Sequence, residues 1–128
     1  MFNSNALVVV FDGDKRKIEE QLKPLIPNTD VVDFDKVKDM RGYDAVVFYG
    51  ISENHNAILP DLCSIIGLNT PLLYCPDQVD FDFLGELDAL FNLSGVCLWN
   101  DFEAIANFTS TLLSETARSK SLERFGSS

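Results

Sequence analysis

Apolar residues along this chain fall into two alternating patterns. In the first they form short unbroken runs rich in β-branched and aromatic residues: ALVVVF at 6–11, DVVDF at 30–34, DAVVFYG at 44–50, PLLYC at 71–75 and GVCLW at 95–99. Runs without polar alternation mark strands covered on both faces. In the second pattern apolar positions recur every three or four residues, the spacing of a helix with one buried face. DKRKIEEQLKPLI (14–26) places Ile18, Leu22 and Leu25 on one face, and PNTD (27–30) ends it. ILPDLCSIIGL (58–68) carries Pro60 in its first turn, where the missing N–H costs little. FDFLGELDALFNL (81–93) reads as a third helix despite Gly85. The last starts at Asn100 or Asp101 as N-cap and buries Phe102, Ile105, Ala106, Thr109, Leu112 and Leu113. DKVKDMRG (35–42) has room for one or two helical turns at most.

Strands and helices therefore alternate, and short buried strands joined by amphipathic crossovers require a parallel sheet with helices on both faces. With right-handed crossovers, five strands favour the order 2-1-3-4-5 of a flavodoxin-like α/β fold. One domain spans 1–116, and ARSKSLERFGSS (117–128) reads as a polar, basic tail or linker. In such sheets the functional crevice lies beyond the carboxyl ends of the strands. That singles out the loops at Asp12–Asp14, Asp35, Tyr49–Asn56, Pro76–Asp80 and Asn100–Asp101.

Composition narrows the chemistry. The chain's 128 residues carry a formal net charge of −10, which repels phosphate backbones and argues against direct nucleic-acid binding. No apolar stretch approaches the roughly 20 residues of a membrane span, and MFNSN is not the start of a secretory signal. Cys63, Cys75 and Cys97 stand alone, with no CxxC pair, as expected of reduced thiols in a cytoplasmic protein. The sequons at Asn92 and Asn107 are then expected to stay unmodified. The single His55 sits in a polar loop, where a solvated ring is expected, and one histidine does not build a zinc site.

The first-strand loop, DGDKRK, sets two carboxylates where a flavodoxin needs a hydroxyl- and glycine-rich phosphate cradle. Neither GxGxxG nor GxxxxGK[ST] occurs, which removes the usual dinucleotide and P-loop readings. LVVVFDGDKRKIEEQLKPLI, YDAVVFYG, NTPLLYCPD and SGVCLWNDFEAIANFTSTLL together resemble a bacterial response-regulator receiver domain over about residues 6–114. The resemblance implies a Mg²⁺ pocket of carboxylates after the first strand, a phosphorylated Asp ending the third, a hydroxyl ending the fourth and a Lys ending the fifth. In-line phosphoryl transfer needs that carboxylate nucleophile, a divalent ion and a cation for the product.

Carried over position by position, only the acidic pair Asp12 and Asp14 survives. The phosphoacceptor position is Tyr49, the hydroxyl position Cys75 or Pro76, and the lysine position Asn100. A phenol with a pKa of about 10 does not replace a carboxylate here. The expectation is an inactive acidic pocket of Asp12, Asp14, Tyr49, Pro76 and Asn100; the alternative is that Asp12 and Asp14 simply cap the first helix. No cofactor is expected; two carboxylates without a third oxygen ligand hold Mg²⁺ weakly. The short segment between the second and third strands departs from the receiver pattern and thins the cover on one sheet face.

Such degenerate receivers resemble the regulatory domains of bacterial enhancer-binding activators, the flagellar-regulator type among them. That implies a regulatory module in transcriptional control, with the basic tail leading into a linker. Phe81, Phe83, Phe91, Trp99 and Phe108 crowd the last strand and its two neighbouring helices, and Phe108 lies off its helix's core stripe. Receivers pair through this region, so Trp99 and Phe108 are the expected interface of a homodimer or of a complex with a protein partner. A second resemblance competes: PDLCSIIGLNTPLLY is similar to the nucleoside 2-deoxyribosyltransferase pattern. In it Asp61 takes the place of a catalytic carboxylate, against the plainer role of first-turn acid.

Overall fold

The computed structural model describes residues 5–37, 42–66 and 69–126. Five strands form one parallel sheet: β1 (Ala6–Val10), β2 (Thr29–Asp33), β3 (Ala45–Tyr49), β4 (Pro71–Cys75) and β5 (Asn92–Val96). Their order is β2-β1-β3-β4-β5, the flavodoxin-like arrangement. Four helices connect or follow them: α1 (Lys15–Leu22), α2 (Leu59–Ile66), α3 (Phe81–Leu90) and α4 (Phe102–Gly126). Short 3-10 segments occupy Phe34–Lys36 and Glu53–Ile58. No helix among the described residues is long and apolar enough to cross a membrane.

Side-chain alternation along the central strands divides the core in two. Val8, Val10, Val47, Tyr49 and Cys75 pack with α1 and α4 on one face. Val9, Val46, Phe48, Leu72 and Tyr74 pack with α2 and α3 on the other. Both faces of β1 and β3 are therefore dry, which is why their sequences show no polar alternation.

Three boundaries differ from expectation, each for a local reason. Helix α1 stops at Leu22, because Pro24 has no N–H to continue the ladder. The chain then tightens, Ile26 N–H reaching Leu22 O at 2.7 Å, so Ile26 is buried and Leu25 stands 51% exposed. Asn92 and Leu93, expected to finish α3, instead open β5 opposite Pro71 and Leu72. A register shift between Leu72 and Leu73 leaves Ser94 as an extra bulged residue. Sheet-type bonding nevertheless runs on to Trp99, since Cys97 and Trp99 donate N–H to Tyr74 O and Pro76 O. At the C-terminus α4 continues through Gly126, past the expected start of the tail.

Between β2 and β3 only the 3-10 turn at Phe34–Lys36 is helical among the described residues; the rest of the expected turns, 38–41, lies outside them. Aromatic rings fill this side: Phe11 stacks on Phe34 at 5.5 Å and meets Phe48 edge-on at 5.2 Å. His55 belongs here and is half-buried, not the solvated loop residue expected. Its ring lies 5.0 Å from Phe11 and 5.5 Å from Phe34, and its Nδ1 accepts from Ser52 N–H at 3.1 Å.

Thr109, part of the buried stripe of α4, is 0% exposed, and its hydroxyl finds no partner in the structure. Thr109→Val removes that unpaired group at nearly constant shape. It is expected to raise the unfolding free energy by about 1 kcal/mol, read from the denaturant midpoint.

Candidate functional site

The tips of β1, β3 and β4 are tied by backbone bonds: Phe11 N–H to Tyr49 O at 2.9 Å and Gly50 N–H to Cys75 O at 2.8 Å. Gly50 turns there with φ +75, bringing its Cα so near Asp12 that an added Cβ would sit 2.5 Å from Asp12 O. The acidic loop is thus pressed against the end of β3, and only glycine permits that approach.

Three crevice acids, Asp14, Asp80 and Asp101, are used as caps. Asp14 Oδ1 accepts from Arg16 N–H at 3.0 Å and caps α1, as expected. Asp80 caps α3 through bonds from Asp82 and Phe83 N–H. Asp101, one of the two expected N-caps of α4, accepts from Ala104 N–H at 3.1 Å. Asp12 is exposed. Among the described residues no group of three His, Cys, Asp or Glu side chains assembles into a metal-ion site.

At the phosphoacceptor position Tyr49 is 6% exposed, and its ring stacks with two other aromatics. Trp99 lies 6.0 Å away with planes 30° apart, and Phe102 lies 5.9 Å away at 12°. These rings, with Gly13, Asp14, Lys17, Ile18, Gln21 and Asn100, line an open groove of about 640 Å³. The structure therefore gathers Asp14, Tyr49, Asn100 and Trp99 at one place. Pro76 is buried beside it, its carbonyl accepting from Trp99 N–H. Phe102 and Lys17 complete the groove and were not foreseen; their only sequence signal was position, at the start of α4 and on α1.

A second, polar groove of about 560 Å³ runs between Ser52–Asn54 and Asp77–Asp82, with Tyr74 at its base. Asp61 lines neither groove; it is exposed in the first turn of α2.

Burial governs the acid–base chemistry near the groove. It raises the Tyr49 phenol above its usual range, with Cys75 and Asp12 adding to the effect. It pushes the Cys75 thiol well up, Cys97 contributing, and raises Cys97 with help from Asp101. Neither thiol is primed as a nucleophile. Tyr74 is also raised, mainly by burial. Tyr43, which donates to Asp30 at 2.7 Å, is pushed up to about 12 by burial and by that carboxylate.

All three tyrosines thus hold their protons more tightly folded than unfolded. Their contribution to stability is complete below about pH 10, the unfolded value, and is lost as pH rises through the folded values. Tyrosinate absorbance is expected to rise at higher pH in the folded protein than in the denatured one. A normal titration in the folded protein would contradict this.

Trp99 and Phe108 are half-buried against the core rather than free. Phe108 lies over Gly95, where an added Cβ would come 2.3 Å from its Cζ, so it is not off the packed face. The exposed large apolar residues of this side are Phe81 (78%), Leu98 (49%), Val96 (39%) and Leu90 (36%). Set against protein-family models, curated proteins and solved structures, the chain matches none of them.

Proposed function

We propose that this chain is a receiver-like regulatory module that takes no phosphoryl group at the usual place and works by protein–protein association. One observation carries the reading: where a phosphoacceptor carboxylate would stand, the buried Tyr49 ring stacks with Trp99 and with Phe102. The neighbouring edge of the sheet meanwhile exposes Val96 and Leu98. Such a crevice puts no carboxylate nucleophile at the end of β3, and such an edge favours a partner. A role in transcriptional control rests on the receiver resemblance alone.

The enzymatic alternative depends on Asp61, an exposed side chain outside both grooves. Nucleosides incubated with the protein are expected to remain intact, and Asp61→Ala to behave as the parent does. Nucleoside cleavage that disappears in Asp61→Ala, with the circular dichroism spectrum unchanged, would replace this reading with a glycosyl-transfer enzyme.

A further inference from the structure

Charge is partitioned along this chain. Every lysine and arginine lies either between Lys15 and Arg41 or between Arg118 and Arg124; none falls between. The intervening segment builds β3 to β5, α2, α3 and the first half of α4, and its charged side chains are all carboxylates. Strand β5 sits at the sheet edge inside this cation-free region. Asp82, Glu86 and Asp88 on α3, and Asp101 and Glu103 at the start of α4, are exposed on the elements flanking it.

The edge itself is unprotected. Natural edge strands are guarded by lysine, proline or a covering element, because their outward N–H and C=O groups otherwise recruit another strand. From Asn92 to Trp99 this edge has neither lysine nor proline. Cys97 and Trp99 direct their N–H groups to β4, so by alternation those of Val96 and Leu98 face outward, although the Leu98 carbonyl is taken by Asp101 N–H at 3.1 Å. The side chains of the same two residues are among the most exposed apolar groups in the protein. The bulge at Ser94 interrupts the lower half of the edge and leaves 95–99 as the open stretch.

We infer that the β5 edge is a strand-addition site for an extended cationic segment of another protein, with lysine or arginine alternating with apolar residues. Main-chain bonds to Val96 and to the Leu98 N–H supply register, apolar side chains cover those two residues, and the cations, on the opposite face of the added strand, meet the carboxylates at the start of α4. A second copy of this chain fits less well, because it sets one cation-free acidic face against another. This inference rests on the association reading above and names the partner's chemistry.

The probe is a fluorescently labelled peptide of alternating lysine and valine, about eight residues long. Its polarisation is read against the full chain, beside the same peptide N-methylated at every second residue. Saturable binding is expected that weakens about tenfold on N-methylation and again with Leu98→Lys. Leu98 is half-exposed, so the variant is expected to fold, with Trp99 emission as the check.

Equal binding of parent and N-methylated peptides would overturn the inference, showing charge attraction without strand pairing. If no peptide binds, yet the chain self-associates in sedimentation and Leu98→Lys abolishes that, the occupant is a second copy: the cationic partner falls and the association reading stands. If neither peptide binding nor self-association occurs, both fall.

Discussion

Gly50→Ala is expected to destabilise the protein by about 3 kcal/mol, one of the largest effects open to a single methyl group here. Two costs combine. The residue turns with φ +75, a conformation that costs an ordinary residue about 1 kcal/mol or more. The new Cβ would also sit 2.5 Å from Asp12 O and 3.0 Å from Asp12 N, main-chain atoms that cannot rotate away. The Asp12–Asp14 loop must then lift off β3, taking Gly13 from the Tyr49 ring and disturbing the cap of α1. Thermal unfolding should fall by roughly 10 °C. Gly85→Ala is the control: it lies in α3 with nothing within 4 Å of an added Cβ, and is expected to stabilise by up to about 1 kcal/mol. Equal effects at the two glycines would show that the loop is not pressed against β3 as described.

Tyr49→Asp is the second large effect, and it separates a lost phosphoacceptor from a lost site. The substitution restores the carboxylate of a working receiver but removes a 6%-exposed ring stacked with Trp99 and Phe102. Losing that packing while burying a charge is expected to cost about 4 kcal/mol. Trp99, the single tryptophan, should shift its emission to the red as its neighbour disappears. No phosphorylation is expected in return, because the end of β4 holds the buried thiol of Cys75 and the position after Trp99 is Asn100, not lysine. Lys17 reaches the groove from α1 and not from the end of β5. An acyl-phosphate on the variant would show that one substitution sufficed to disable the site.

The fold was legible because its information is local. Unbroken apolar runs marked β1, β3 and β4, and the alternation with helices dictated a parallel sheet. What escaped depends on contacts distant in sequence. Asn92 and Leu93 have weak strand preference and join β5 only because β4 offers them partners, with the bulge absorbing the mismatch. Leu25 and Ile26 exchange places because Pro24 ends the helical period that would have buried Leu25. His55 reads as solvated until Phe11 and Phe34 are brought against it.

The candidate site divides the same way. The capping role of Asp14 follows from its position before a helix. The stacking of Tyr49 with Trp99 and Phe102 unites residues from the end of β3 and the start of α4, and only the folded sheet brings them together. The edge position of β5 was legible from the expected strand order, but the exposure of Val96 and Leu98 was not, since the apolar run GVCLW reads as a strand covered on both faces.

The most direct measurement is the intact mass of the unmodified protein after incubation with acetyl phosphate and Mg²⁺. No change is expected, because the Tyr49 ring, stacked with Trp99 and Phe102, fills the place of the nucleophile. Gain of one acid-stable or acid-labile phosphoryl group on a crevice residue such as Asp12 would contradict this.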